Sequence, residues 1–275
     1  MTAIKSFENI PVFDKVPGIK LYNQDCKELL DELPDESIDL MIQDPPYGVT
    51  QNEWDKPINL VKLWPQWERV IKPNGAIIFT SQQPFTTDLI ASNRKLFKYD
   101  MIWEKSIATG FLNANRMPLR AHEIVLVFYR QLPTYNPQKY KLEGRPSFKK
   151  GNKARGSKNY GEFNHEMDIG SKDGSRFPRS VFTVDYENSF FDSSFDTVQK
   201  MIHPTQKPID LFRYLIQTYS SEGETVFDGY SGSGTCAAAC IESKRQFIGT
   251  ELNPDYYAGA CQRILNHSKQ TKLFA

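Results

Sequence analysis

The chain has 275 residues, room for one large domain or a domain with an insertion, and its 39% hydrophobic and 13% aromatic content supports a packed core. A net charge of +1 excludes a polycation that would coat nucleic acid by bulk charge alone. The longest apolar run, Ile124 to Tyr129, is far too short to span a bilayer, and the start lacks the basic-then-apolar order of a signal peptide, so a cytoplasmic protein is expected.

Residues 1–17 carry little pattern and read as an arm. From residue 18 to 130, apolar runs alternate with helical patterns, as a parallel α/β sheet requires. Ile38 to Ile42 reads as a buried strand and runs into Asp44-Pro45-Pro46-Tyr47. The prolines fix their own φ and have no N–H, and Asp44 before them is pushed toward extended backbone. The Asp44 carboxylate and nearby carbonyls are then acceptors suited to an exocyclic amine, and Tyr47 offers a ring on which a planar base can stack. Gly48 to Trp54 reads as a flap over that motif. Leu63, Trp67, Val70 and Ile71 keep helical spacing in Leu60–Ile71, and Lys72-Pro73-Asn74-Gly75 is expected to end that helix before a strand over Ala76–Thr80. Tyr99 to Trp103 is a further strand.

Periodicity is lost over residues 131–175, which read as an insertion. Lys139, Lys141, Arg145, Lys149, Lys150, Lys153, Arg155 and Lys158 crowd there against one acid, Glu143, with Tyr140, Phe148 and Tyr160 among or beside them. A basic, aromatic, glycine-containing stretch suits a phosphate backbone, although a solvated surface loop has the same composition. From residue 176 the pattern returns toward a core, with Phe182 and Val184 alternating and Asp185 to Asp196 as a surface connection. Leu211, Leu215, Ile216 and Tyr219 share one helix face.

Thr225 to Ala239 reads as strand, glycine-rich turn and helix, with Gly229, Gly232 and Gly234 allowing a ligand close to the backbone. Gln246 to Thr250 is the next strand, and Glu251 at its end is placed to accept from ribose hydroxyls. Gly232-x-Gly234-x-x-Ala237 also fits a dinucleotide fingerprint, which leaves a nicotinamide oxidoreductase as a competing reading. Cys26, Cys236, Cys240 and Cys261 have no metal-type spacing, so structural thiols and no metal are expected.

Taken together, Asp44-Pro45-Pro46-Tyr47 and the loop Asp228 to Thr235 resemble the catalytic motif and cofactor loop of the amino-group DNA methyltransferases, which act on adenine N6 or cytosine N4. The loop departs from the family's usual Pro and Phe at Gly229 and Tyr230. With the catalytic motif first, the order resembles the permuted class called beta. His203-Pro204-Thr205-Gln206-Lys207-Pro208 looks like the segment that precedes its cofactor loop, and Leu21 to Cys26 like the strand and acid on the cofactor's adenine side. Trp103-Glu104-Lys105 and Glu123 to Val127 are similar to its later strands.

The resemblance implies a Rossmann-like S-adenosylmethionine-dependent methyltransferase fold of the α/β class. That fold has a mostly parallel seven-stranded sheet, helices on both faces and a circularly permuted motif order. Residues 1–130 and 176–275 would form the catalytic domain and 131–175 the target-recognition region. Asp44, Pro45, Pro46 and Tyr47 would be catalytic. S-adenosylmethionine would lie on Asp25, Asp44, Thr205, Lys207, Asp228, Gly232, Gly234, Thr235 and Glu251. DNA would meet Lys149, Lys150, Lys153, Arg155 and Lys158, with the target base flipped out, because its amine is unreachable inside a duplex. Asp at the first motif position is usual for adenine enzymes and Ser for cytosine-N4 enzymes. RNA or protein-glutamine methylation and a catalytically dead DNA-binding protein are further readings, and monomer and homodimer both remain open.

Overall fold

A computed structural model describes residues 12–49, 52, 55–56, 58–141, 175–184 and 205–273. The chain divides into two compact units, Met1–Asn136 with Ser180–Ala275, and Pro137–Arg179. The larger unit begins with strands β1 (Val12–Val16) and β2 (Ile19–Tyr22), helix α1 (Cys26–Glu32) and β3 (Ile38–Gln43). It continues through α2 (Leu60–Val70), β4 (Ile71–Ser81), α3 (Phe85–Ser92), β5 (Phe97–Thr109) and β6 (Arg120–Phe128). In the smaller unit, β7 (Tyr140–Lys141) and β8 (Ser175–Arg176) pair antiparallel, and the Lys139 ammonium lies 4.6 Å from the Phe177 ring centre. The larger unit resumes with β9 (Val181–Thr183), α4 (Ile209–Tyr219), β10 (Thr225–Asp228), α5 (Thr235–Glu242), β11 (Gln246–Thr250) and α6 (Pro254–Leu273). Among the described residues no helix is long and apolar enough to cross a membrane.

The sheet runs β1-β2-β11-β10-β3-β4-β6-β5-β9. The five pairs β2–β11, β11–β10, β10–β3, β3–β4 and β5–β9 are parallel, and β1–β2, β4–β6 and β5–β6 are antiparallel. Seven strands thus form the expected mostly parallel sheet, and β1 and β9 extend it at the two edges. Val12–Val16 was expected to be part of an arm. It is a strand because Phe13 and Val16 turn inward and pack with the core while the residues between them face out.

Alternation along the central strands divides the core between two faces. Leu40, Ile42, Ala76, Ile78, Val125, Val127 and Val226 point to one face, where α4, α5 and α6 cover them. Met41, Ile77, Phe79, Leu126, Phe128 and Phe227 point to the other, covered by α1, α2 and α3. Both faces being buried explains why these strands read as continuous apolar runs. Trp64 and Trp67 of α2 meet Phe79 and Phe128 in edge-on and tilted ring contacts with centres 5.1–5.9 Å apart. Phe182 of β9 stacks on Tyr214 of α4 at 4.8 Å.

The expected helix stop at Lys72–Gly75 is corrected. Helix α2 ends at Val70, and β4 begins at once with Ile71. Ile71 pairs with Ile38 and Ala76 with Leu40, so Lys72 to Gly75 bulges out within one long strand. A Cβ on Gly75 would lie 2.7 Å from the Asp39 carbonyl, which requires glycine there. The turn-like composition marks this bulge rather than a connection. Strand β5 also outruns its expected span at both ends, because antiparallel pairing with β6 carries it to Thr109.

Candidate active site

Parallel pairing of β3 with β10, Leu40 opposite Val226 and Met41 opposite Phe227, sets the carboxyl ends of two sequence-distant segments side by side. Asp44 follows β3, Asp228 closes β10, and Glu251 follows the neighbouring β11. Open α/β sheets bind ligands at such strand ends. Here they border a cavity of about 1320 Å³, more than one small ligand fills, whose lining includes Asp25, Asp44, Pro45, Pro46, Tyr47, Thr205, Lys207, Asp228, Gly232, Thr235 and Glu251.

Asp44 is held by four hydrogen bonds from three side chains. Lys207 Nζ lies 2.9 Å from both carboxylate oxygens, and the Thr80 and Tyr47 hydroxyls each donate to Oδ1 at 2.5 Å. Burial alone would raise the Asp44 pKa, but the Lys207 ammonium and the two hydroxyls outweigh it and keep the carboxyl below its usual range. Lys207 also faces Glu123 at 3.4 Å, and Lys105 faces the other Glu123 oxygen at 3.5 Å. Burial works against the charged lysine, yet Asp44 and Glu123 together raise its pKa. Tyr47 stacks on Phe85 with ring centres 5.6 Å apart, and Lys207 sits 5.5 Å from its ring centre. Gly48 and Val49 donate to the Asp55 carboxylate at 2.8 and 2.9 Å, which fixes the backbone leaving the motif. Trp54 lies outside the described residues.

The glycine loop is equally constrained. Gly232 and Gly234 have φ of +51° and +76°, a region that favours glycine. The Gly232 N–H donates to Glu251 at 2.8 Å, the Asn253 N–H donates to its other oxygen at 2.8 Å, and the Tyr230 N–H donates to Asp228 at 2.9 Å. Burial pushes the Asp228 carboxyl up to about 8, with Asp44 and Glu251 adding to the rise against the opposing Tyr230 N–H. Burial raises Glu251 as well. Asp25 caps α1 by accepting from the Lys27 N–H at 2.7 Å.

Among the described residues, both amide atoms of Gln24 and the indole N–H of Trp103 are buried on the cavity wall with no hydrogen-bond partner, and Glu123 Oε2 there has its ion pair with Lys207 in place of one. Such groups are costly unless a ligand or water meets them.

Residues 38–262 match the N6/N4 methyltransferase family model, described as DNA methylase. The chain belongs to this family. The DNA adenine methyltransferase YhdJ of Escherichia coli K12 is 28% identical over 86% of this chain and 79% of its own. The type II methyltransferase M.BglII of Bacillus subtilis is 26% identical over 93% and 71%. Among solved structures, PvuII DNA methyltransferase, named as cytosine-N4-specific, superposes with a TM-score of 0.61 at 16% identity, covering 94% of this chain and 96% of that one. The M1.HpyAVI–SAM complex gives 0.57 at 21% identity, covering 90% and 98%. At those identities the likeness establishes the methyltransferase fold.

In this member of the DNA methylase family the fold brings together the Asp44-Pro45-Pro46-Tyr47 motif and the glycine loop, with three neighbours that sequence reading missed. Thr80 ends the run predicted as a strand, and its place on β4 beside β3 brings its hydroxyl to Asp44. Glu123 begins the apolar part of β6, an acid with one buried face. Gln43 bridges the halves: its amide donates to the Phe227 carbonyl at 3.1 Å and accepts from the Gly229 N–H at 3.2 Å. This bond gives a reason for the Gly229 departure, since proline there would have no N–H to donate. Lys149, Lys150, Lys153, Arg155 and Lys158 lie outside the described residues, as does His203-Pro204.

Proposed function

We propose that this DNA methyltransferase methylates adenine N6 at a defined duplex sequence, using S-adenosylmethionine, with the target nucleotide turned out of the helix. The observation that carries this reading is Asp44 beside Asp228 at the ends of paired strands, in one cavity large enough for donor and base. S-adenosylmethionine supplies an electrophilic methyl on a sulfonium. The acids Asp228 and Glu251 suit its charge and ribose hydroxyls, and Gly232 leaves bare backbone for close approach, while Gly234 lies off the cavity and faces Ala260 and Ile264 of α6. Asp25, Thr205 and Thr235 add polar lining, and the unpartnered Gln24 amide suits the adenine edge. These features favour the methyl donor over a nicotinamide.

Asp44 and the Pro45 carbonyl accept from the target N–H groups and orient the nitrogen lone pair, so the gain comes from positioning and fixed acceptors. Three of the four bonds to the Asp44 carboxylate fall on Oδ1 and one on Oδ2, so Oδ2 keeps a site that can accept from the amine. Transfer leaves positive charge on nitrogen, and ionised Asp44 stabilises it until a proton is shed to water. The Tyr47 ring, braced by Phe85, is the platform for the flipped base.

Asp at position 44 and the similarity to YhdJ favour adenine. The fold shared with the cytosine-N4-specific PvuII enzyme makes cytosine N4 the second reading. The insertion at 131–175, through Lys149, Lys150, Lys153, Arg155 and Lys158, reads the site and holds phosphates. Modification-sensitive sequencing of DNA from expressing cells, with mass spectrometry of its nucleosides, tests the reading. N6-methyladenine at one motif is expected, N4-methylcytosine would move the assignment to the second reading, and unmodified DNA would overturn both.

A further inference from the structure

The antiparallel pair β5–β6 does not end at the sheet. It runs on as a hairpin whose base lines the active-site cavity through Lys105, Ile107, Thr109 and Arg120. Every residue from Thr109 to His122 is exposed, and the apolar ones are not spared: Ile107 is 78%, Phe111 80% and Leu112 96% accessible. Met117 and Leu119 are exposed beside them. Five large apolar side chains held in water along one hairpin mark a binding surface.

The tip is preordered. Gly110, at φ +90°, opens a short 3-10 turn over Phe111–Asn113. Four backbone bonds close it: Asn113 and Ala114 N–H to the Gly110 and Phe111 carbonyls, and Arg116 and Met117 N–H to the Asn113 carbonyl, all within 3.0 Å. The apolar side chains are thus presented on a folded turn, which lowers the ordering cost of using them. Charge points to the occupant. Arg116 and Arg120 are exposed on the hairpin, and no acid lies between Glu104 and Glu123.

From this arrangement we infer that the β5–β6 hairpin is the wedge that opens duplex DNA for this site. Phe111 and Leu112 enter the base stack where the target nucleotide leaves, and Arg116 and Arg120 hold the flanking phosphates. The inference rests on the DNA-methylating reading above. Extruding a base costs unstacking energy, and an inserted apolar side chain restores part of the stacking. The hairpin's base lines the cavity that would receive the base, so one continuous element joins the step that empties the stack to the site that captures the nucleotide.

The test uses the full-length enzyme and a duplex carrying the motif found by sequencing. A second duplex is identical except that the nucleotide opposite the target is abasic, so that the target is already unpaired. The double variant Phe111→Ser, Leu112→Ser should keep the wild-type melting temperature and S-adenosylmethionine affinity, because both side chains are exposed. It should lose at least ~10-fold in methyl transfer on the intact duplex, within the range that base–aromatic stacking spans. On the abasic duplex it should recover to near the wild-type rate. Phe111→Tyr with Leu112→Met, which keep the bulk, should stay active on both.

Unchanged transfer on the intact duplex, or equal loss on both duplexes, would overturn the wedge. So would a wild-type dimer in gel filtration that the serine variant dissolves without loss of transfer, since a second copy would then be the occupant. Failure of the wild-type enzyme to methylate any DNA would instead strike the functional reading beneath it.

Discussion

The ammonium of Lys207 lies 2.9 Å from each carboxylate oxygen of Asp44, joining two residues 163 positions apart. Resemblance to the family's segment before the cofactor loop assigned Lys207 to the methyl donor; the fold places its charge on the acceptor expected to grip the target amine. Lys207 is also the link to Glu123 and Lys105, so Asp44 stands at one end of a buried row of alternating charges.

That row yields a prediction for Lys207→Met. Removing one partner of a buried pair costs about 3 kcal/mol, which urea unfolding would register. The sign with pH follows from Asp44, whose folded pKa lies below its ordinary value. Its stabilising contribution is present above the unfolded pKa and is lost as pH falls through the folded one. Without the ammonium, Asp44 protonates at higher pH and ceases to accept. The acid limb of the methyl-transfer rate should therefore move upward in Lys207→Met. An unshifted limb would show that Asp44 does not need Lys207 to stay ionised.

Asp44→Ala should abolish transfer while leaving a folded protein, because Asp44 is the acceptor at the reacting nitrogen. A loss of at least ~100-fold is the scale for removing a fixed electrostatic partner of a transition state. Tritiated methyl transfer to duplex DNA measures it, with circular dichroism as the control for folding. Near-wild-type activity would remove Asp44 from the chemistry.

Asp228 predicts the opposite pH behaviour. Its folded pKa of about 8 lies above that of an unfolded aspartate, so the folded state binds the extra proton and stability falls as pH rises through that window. A cationic donor favours the ionised carboxylate. Affinity for S-adenosylmethionine should increase as pH rises toward about 8, by up to roughly tenfold per unit, and level off above it, and Asp228→Asn should flatten the dependence. Calorimetry at several pH values decides it. A flat wild-type profile would place the donor's charge away from Asp228.

The sequence exposes the two motifs because each is short, local and built on restrictive residues: prolines that bar a helix, glycines at positive φ, acids at strand ends. It shows that Asp44 and Asp228 each end a strand, but their adjacency is set by β3 pairing with β10, a long-range register. Thr80 and Gln43 are hidden for the same reason. Each sits in an apolar strand as an unremarkable polar residue until its neighbour is known. Lys72 to Gly75 misleads because a bulge and a turn use the same residues. The β5–β6 hairpin escapes notice because Phe111, Leu112 and Leu119 look like core residues, and only their exposure distinguishes them.

Gly229 supplies a structural prediction. A Cβ there would stand 2.3 Å from Cys26 Sγ and 2.9 Å from Gln43 Oε1, both in buried surroundings. Gly229→Ala should destabilise the protein by about 1–3 kcal/mol, the cost of overpacking a core, and should weaken donor binding by displacing the loop. Thermal melting and calorimetry would test it. If Cys26→Ala restores both, the clash with sulfur is the cause; if neither changes, the loop yields without loss.

The basic insertion carries the last prediction. Lys149, Lys150, Lys153 and Arg155 stand outside every motif assigned to the donor, in a stretch rich in cations and poor in acids. If they neutralise phosphates, binding releases counterions, and affinity falls with salt along a line whose slope counts the phosphates engaged. Replacing all four with alanine should weaken DNA binding and lower the log–log slope by about 0.9 for each phosphate no longer neutralised. Donor affinity should hold, because Asp228, Gly232 and Glu251 are untouched. Fluorescence anisotropy across a salt series reads both quantities. A changed affinity with an unchanged slope would mean that these residues act through the fold of the insertion. An unchanged affinity and slope would leave phosphate binding to other cations, and Arg116 and Arg120 on the β5–β6 hairpin would be the next to remove.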